Sequence, residues 1–240
     1  MRKTLAQVSN LLELSKAFKT LADETTAEPH MGLIHGFTGS GKTTSIAWLL
    51  NRLPDISSYN GAYVRAFAVW SVSTMLRSII TELGTEPQYR SARNVEIVCQ
   101  HIAERKVALF IDEADYLFDG RDKRMLETLR DIHDATGLPV IFIGMDGIER
   151  KLGAHRQLDR RVTQRVKFQP LEIADAQLVA DNCCEVKIST DLVERLHGWS
   201  KGSIALCVVA LTEIERVAKL QRLESVDANW WGDREFRRGA

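Results

Sequence analysis

The chain has 240 residues, 45% hydrophobic and 27% charged, with 32 basic and 32 acidic side chains. This is the balance of a soluble globular protein, long enough for one α/β core and a small appended domain. No run approaches the roughly 18 to 20 apolar residues of a membrane span, and a net charge of zero gives no whole-protein field that announces a nucleic-acid binder.

In chain order, residues 5–22 place Leu5, Val8, Leu12, Ser15 and Phe18, with Leu11, Leu14 and Leu21, near helical period, which predicts a helix packed on the core. Residues 24–29 read as a linker and 31–35 as a short apolar strand. A helix over 42–53 is expected to end before Pro54. A second strand is predicted at 62–69, then a helix over 72–83 stopped by Gly84, a helix over 95–105 and a strand over 107–111. Residues 123–135 read as a helix stopped by Gly137, 139–144 as a fourth strand and 166–168 as a short fifth. Strands that are nearly all apolar and alternate with helices predict a five-stranded parallel sheet sandwiched by helices. After Pro170 the pattern changes to three helices, 174–182, 190–197 and 203–219, with no strand between them. Periodicity fades from Gln221, and Trp230-Trp231 either dock on a neighbour or pack on their own subunit. The expected divisions are 1–28 (helix and linker), 29–170 (α/β core), 171–220 (helical domain) and 221–240 (tail).

Gly36, Phe37, Thr38, Gly39, Ser40, Gly41, Lys42 and Thr43 match G-x-x-x-x-G-K-[ST] at every fixed position, with Thr44 next in the helix. Glycines let backbone N–H groups curl round phosphate oxygens, and the following helix turns its positive end to the same anion. Lys42 can reach the β- and γ-phosphates, and the Thr43 hydroxyl can ligate Mg²⁺. The apolar run Val107–Ile111 ends in Asp112 and Glu113. Asp112, at the end of a buried strand, can hold the metal's water shell, and Glu113 is placed to polarise an attacking water. Together the two motifs predict binding of a nucleoside triphosphate with Mg²⁺, and its hydrolysis.

The remaining residue types say less. Cys99, Cys183, Cys184 and Cys207 lack metal spacing and do not suggest a disulfide framework, so the cytoplasm is the default location. The N-terminus leads into an amphipathic segment, not an apolar signal core. Arg150, Lys151, Arg156, Arg160, Arg161, Arg165 and Lys167 share their segment with one acid, Asp159. The tail sets Arg234, Arg237 and Arg238 against Asp233 and Glu235, which reads as a solvated face. His35, His101, His133 and the other histidines have no ligand spacing and receive no role.

From about residue 30 to 220 the chain resembles an AAA+ ATPase. Within that superfamily it is similar to the MuB and TnsC target-selection ATPases of DNA transposition, with the IstB helper ATPases further off. The resemblance rests on Asp112-Glu113-Ala114-Asp115-Tyr116-Leu117, Val140-Ile141-Phe142-Ile143-Gly144-Met145 and Gln157-Leu158-Asp159-Arg160-Arg161-Val162, and on the compact helical region, or lid, after Pro170-Leu171. It implies that the triphosphate is ATP. It also implies that Arg161, with Arg160 as the alternative, is a finger entering a neighbouring subunit's site, where it stabilises charge on the γ-phosphoryl oxygens. The pattern departs from the family twice. Met145 follows Gly144 where a polar γ-phosphate sensor is usual, leaving Asp146 as the nearest candidate. The lid's last helix lacks its usual arginine, with Lys201 as a substitute that has no planar fork. Both departures predict slow hydrolysis, stimulated by DNA or a partner. Only about 28 residues precede the core, too few for the family's N-terminal DNA-binding extension.

The resemblance further implies a bacterial cell, with a phage or transposon as a candidate source of the gene, and ATP-dependent assembly of a ring or helical filament on duplex DNA that recruits and activates a transposase. No membrane partner is implied. Binding to phosphates is salt-sensitive and weakly selective, and the candidate contacts are Arg77, Arg90, Arg93, Arg121, Lys123 and Arg124. The competing readings are a helicase-loader ATPase of the DnaC type and a nucleotide-gated interaction module with little hydrolysis. A DEAD-type helicase is excluded because the chain is too short for two motor domains.

Overall fold

The computed structural model describes residues 4–22, 30–120 and 122–236. The expected linker, Arg121 and the tail residues Arg237 and Arg238 lie outside the described residues. The chain clusters into two units, Leu14–Gly36 with Lys42–Lys167, and Met1–Glu13 with Phe37–Gly41 and Phe168–Ala240.

The larger unit carries the five-stranded parallel sheet. Its strands are β1 (Met31–Gly36), β2 (Asn60–Arg65), β3 (Val107–Asp112), β4 (Val140–Gly144) and β5 (Val162–Phe168), in the order β2-β3-β4-β1-β5. Every residue of β1, β3 and β4 is buried, as central strands covered on both faces require. The edge strand β5 alternates, burying Val162, Val166 and Phe168 between polar residues. That alternation extends it four residues upstream of the apolar stretch expected at 166–168. Its start is tied to β1 by Met31 N–H donating to Arg161 C=O at 2.8 Å.

Helix α1 (Ser9–Leu21) sets Phe18 against Phe110 of β3, ring centroids 5.9 Å apart. It begins later than the apolar pattern alone suggested. Helix α2 (Lys42–Ile56) runs through Pro54 instead of stopping before it. A proline in the last turn forfeits one hydrogen bond there, while Leu53 is fully buried and its carbonyl accepts from Ser57 N–H at 3.0 Å. The helix α3 (Val72–Glu82) opens with a capping box between Ser71 and Thr74. Helix α4 (Ser91–Arg105) starts four residues before the expected position, where buried Asn94 both accepts from Gln88 N–H and donates to Gln88 C=O. After β3 come α5 (Asp115–Asp119) and α6 (Arg124–Thr136), the latter ended by left-handed Gly137. Two short helices that the sequence did not announce, α7 (Ile148–Gly153) and α8 (Arg156–Asp159), lead from β4 to β5.

The smaller unit contains α9 (Ile173–Cys183), α10 (Thr190–Ser200), α11 (Ile204–Leu220) and α12 (Ala228–Trp231). It is not strand-free as expected, because β6 (Lys187–Ile188) pairs with β7 (Ser225–Val226). The N-terminal segment belongs here: Ser9 N–H and Oγ both reach Asp175 Oδ1, at 3.0 and 3.1 Å, and Asn10 bonds Gln169 in both directions. Of the two readings of the tail tryptophans, packing within the chain is the one observed. Trp231 is 2% exposed and stacks on Phe236, and the Arg234 guanidinium lies 5.1 Å from the Trp230 ring. Among the described residues no helix is long and apolar enough to cross a membrane.

Candidate nucleotide-binding site

In a parallel sheet the groups that follow the C-terminal strand ends converge on one edge. Within the larger unit those ends deliver Gly36 after β1, with Lys42 and Thr43 opening α2, Asp112 and Glu113 after β3, and Met145 and Asp146 after β4.

In the loop, Gly39 and Gly41 have φ of +83° and +89°, a conformation that L side chains rarely adopt. Within the smaller unit, Gly39 C=O accepts from Ala205 N–H at 3.2 Å and from Ser203 Oγ at 3.3 Å. A Cβ on Gly39 would stand 2.7 Å from Ser203 Oγ, and one on Gly41 2.9 Å from Ile204. Both glycines are thus required by backbone geometry and by the close approach of the first turn of α11. That turn, Ile204 to Cys207, carries no cation. Lys201, the expected substitute, is an exposed residue with φ of 50° capping the end of α10.

In the larger unit, Lys42 Nζ donates to Gly36 C=O at 2.6 Å. Burial pushes its pKa down, opposed by the carboxylates of Asp112, Asp146, Glu113 and Asp115. Thr43 and Thr44 are exposed in the first turn of α2.

Asp112 is 8% exposed. Its Oδ1 accepts from Glu113 N–H at 2.8 Å and its Oδ2 from the Tyr63 hydroxyl. Burial, then this bond, raise the phenol's pKa well above its ordinary range. Glu113 has φ of 53°, a left-handed turn that swings the chain from β3 toward α5, and its carboxylate pairs with Arg65 at 3.2 Å. Arg65 lies opposite Asp112 in the β2–β3 register. Tyr63 and Arg65 were not singled out by the sequence; the only hint was polar residues at the end of a half-buried strand.

Asp115 locks the ends of β3 and β4 together. Its Oδ2 accepts from Met145 N–H at 2.7 Å and its Oδ1 from Lys151 Nζ at 3.1 Å. Gly144 makes room for it, since a Cβ there would stand 2.5 Å from Asp115 Oδ2. Asp146, the expected polar replacement at this strand end, faces His35 of β1. His35 is 4% exposed, with Nδ1 3.9 Å from Asp146 Oδ1 and Nε2 3.6 Å from Glu149 Oε2, and Nδ1 has no hydrogen bond among the described residues. Burial lowers its pKa despite both carboxylates. A histidine that had no role by spacing therefore lies one residue before the phosphate loop.

The basic candidates divide. Arg161 is held by Asp134 through two bonds of 2.7 and 2.6 Å, and also donates to Gln157 C=O, whereas Arg160 is exposed. Arg93 pairs with Glu96 and Arg124 with Asp122, while Arg77 approaches Gln88 C=O at 3.5 Å. Arg90 and Lys123 are exposed.

The residues present fit a Mg²⁺-bound triphosphate. Gly39 and Gly41 stand where a side chain would collide, Lys42 brings a half-buried ammonium, Thr43 an exposed hydroxyl, and the end of β3 a buried carboxylate, Asp112.

Comparison with solved structures gives the same architecture. The Aeropyrum pernix ORC1 protein in complex with DNA superposes with a TM-score of 0.69 at 16% identity, over 94% of this chain and 63% of that one. For the Aeropyrum pernix ORC2 protein with ADPNP and ADP the values are 0.73, 16%, 95% and 68%. For Cdc6p from Pyrobaculum aerophilum they are 0.64, 17%, 94% and 65%. The chain thus spans less than two thirds of the first of these proteins. No curated protein matches the sequence. The model of an AAA domain matches residues 26–152, more than half of the chain, which therefore belongs to the AAA domain family.

Proposed function

We propose that this AAA protein is an ATP-dependent, DNA-binding ATPase of the target-selection kind. It assembles on duplex DNA while ATP-bound, as a ring or filament in the bacterial cytoplasm, and recruits and activates a transposase. Residues 29–170 act as the motor and 171–220 as its lid. The observation that supports the reading is the set at the β1 and β3 ends: Lys42 bonded to Gly36 C=O, Asp112 buried at the end of β3, and Glu113 parked on Arg65. Lys42 and the loop N–H groups of Gly36–Thr44 bind the phosphates. Thr43 and Asp112 would hold Mg²⁺, which would supply charge neutralisation at the phosphoryl oxygens. Once released from Arg65, Glu113 orients a water and takes its proton. Arg160 is assigned the finger in trans, since its guanidinium is exposed while Arg161 is bound by Asp134. The missing cation in the first turn of α11 and the parked glutamate both favour slow turnover, which suits a switch that stays assembled with ATP.

Negative-stain imaging with duplex DNA and a non-hydrolysable ATP analogue tests this reading. Wild type should assemble along the duplex, and Lys42→Ala should not. Assembly of Lys42→Ala with unchanged nucleotide dependence contradicts the site. Co-purification of a ring helicase, with single-strand binding, would replace this reading by a loader. ATP binding without turnover, even with DNA, would make the chain an interaction module.

A further inference from the structure

The basic segment 150–167 resolves into two kinds of cation. Lys151 pairs with Asp115 and Asp119, Arg161 with Asp134, and Arg165 with Glu149 and Asp159. Arg156 makes no ion pair among the described residues, and neither does Lys123, which faces the same cleft from α6. This cleft, about 340 Å³, lies between α6 and the α7–α8 segment. Arg130 spans it, donating to Gln157 Oε1 at 2.6 Å while pairing with Asp131. His155 packs edge-on against Phe118. Burial and the Lys123 charge both lower the His155 pKa, so it stands neutral in a positive field. Glu127 is the one carboxylate among the described residues that line the cleft. Lys123 itself does not cap α6; the Asp122 carboxylate accepts from Arg124 N–H at 3.0 Å there, so the cleft draws its positive field from side chains and not from the helix end.

We propose that this cleft binds the phosphodiester backbone of DNA, with Lys123 and Arg156 neutralising phosphates from opposite walls and Arg130 holding the walls in place. The inference rests on the DNA-binding reading above and adds to it the place where the strand lies. The chemistry of the cleft selects this occupant. Two cations without carboxylate partners need not give up an existing ion pair to take phosphates, whereas Arg93 and Arg124 must. A protein partner ordinarily seats an aromatic or aliphatic anchor in a dry pocket, and this cleft is open and charged.

The test uses the full chain with a non-hydrolysable ATP analogue and a fluorescein-labelled duplex, reading anisotropy over a salt series. Each of Lys123→Ala and Arg156→Ala should lower the slope of log K against log salt by about 1, and the double variant by about 2, on duplexes of any sequence. Near 0.2 M salt this corresponds to binding about fourfold weaker for each and roughly 20-fold weaker for both. Lys123→Arg with Arg156→Lys should restore the slope, because charge is what the backbone reads. Arg216→Ala, which removes a cation of the smaller unit, should change neither quantity. A double variant with wild-type affinity and slope overturns this site while the DNA-binding reading stands. Wild type that binds no duplex overturns both. Weaker binding at an unchanged slope, together with lost self-association, makes the cleft a contact between subunits and also overturns the proposal.

Discussion

Tyr63→Phe removes one oxygen and probes directly the carboxylate proposed to hold Mg²⁺. Asp112 accepts from the Tyr63 hydroxyl and from Glu113 N–H, and at 8% exposure it has little access to water in compensation. Leaving a buried carboxylate oxygen without its donor costs about 1–3 kcal/mol. For a domain of this size that lowers Tm by roughly 2–12 °C. The ring itself stays, so packing changes little. Magnesium-bound ATP offers Asp112 a new partner, and the cost should shrink when it binds. Differential scanning calorimetry of wild type and Tyr63→Phe, with and without Mg²⁺ and a non-hydrolysable analogue, measures both terms. The variant should melt lower without ligand, and its ligand-induced rise in Tm should exceed that of wild type. If its unliganded Tm equals wild type and the ligand-induced rise is unchanged, the Tyr63 hydroxyl is not what satisfies Asp112.

Arg65→Ala should raise basal ATP turnover by at most about fivefold in a phosphate-release assay, since a partly exposed ion pair contributes about 0.2–1 kcal/mol; turnover that falls would make Arg65 part of the machinery instead of a restraint on Glu113. Arg160→Ala should abolish DNA-stimulated turnover with single-site ATP binding intact and recover part of it when mixed with Lys42→Ala, whereas Arg161→Ala should chiefly lower Tm by freeing Asp134; the opposite pattern transfers the finger to Arg161. Because burial holds the folded pKa of His35 below 6.5, the unfolded chain binds the proton first, so stability is present above about pH 6.5 and is lost as pH falls below it. His155 acts in the same direction. In melting curves between pH 7.5 and 5.5, all approximate, His35→Gln should lose less Tm than wild type, and an identical pH slope would remove His35 from this account.

Much of the fold was legible because central strands and the phosphate loop impose narrow residue choices. β1, β3 and β4 are apolar throughout since both faces are covered, and Gly39 and Gly41 are fixed by positive φ. β5 was expected only at 166–168 because an edge strand alternates, and Thr163, Gln164 and Arg165 made its first half look like a polar segment. α7 and α8 span too few residues to show a period. Side-chain partners were the least legible. Tyr63 meets Asp112 and Arg65 meets Glu113 only through the β2–β3 register, and Arg161 meets Asp134 across 27 positions of chain. The resemblance put Arg161 first as the finger with Arg160 as the alternative; the folded chain pairs Arg161 with Asp134 and leaves Arg160 exposed. His35 gained significance only when β1 placed it between Asp146 and Glu149.

In the proposed function this chain binds ATP through the β1 loop and cleaves it with Glu113. Paired measurement of radiolabelled ATP binding and phosphate release, for wild type and Glu113→Gln with duplex DNA, addresses it most directly. The amide keeps the carboxylate's shape and loses its basicity. Binding should therefore be retained, phosphate release should fall by about 100-fold or more, and the DNA complexes should live longer. Phosphate release at the wild-type rate by Glu113→Gln, or no ATP bound by either protein, would contradict the account.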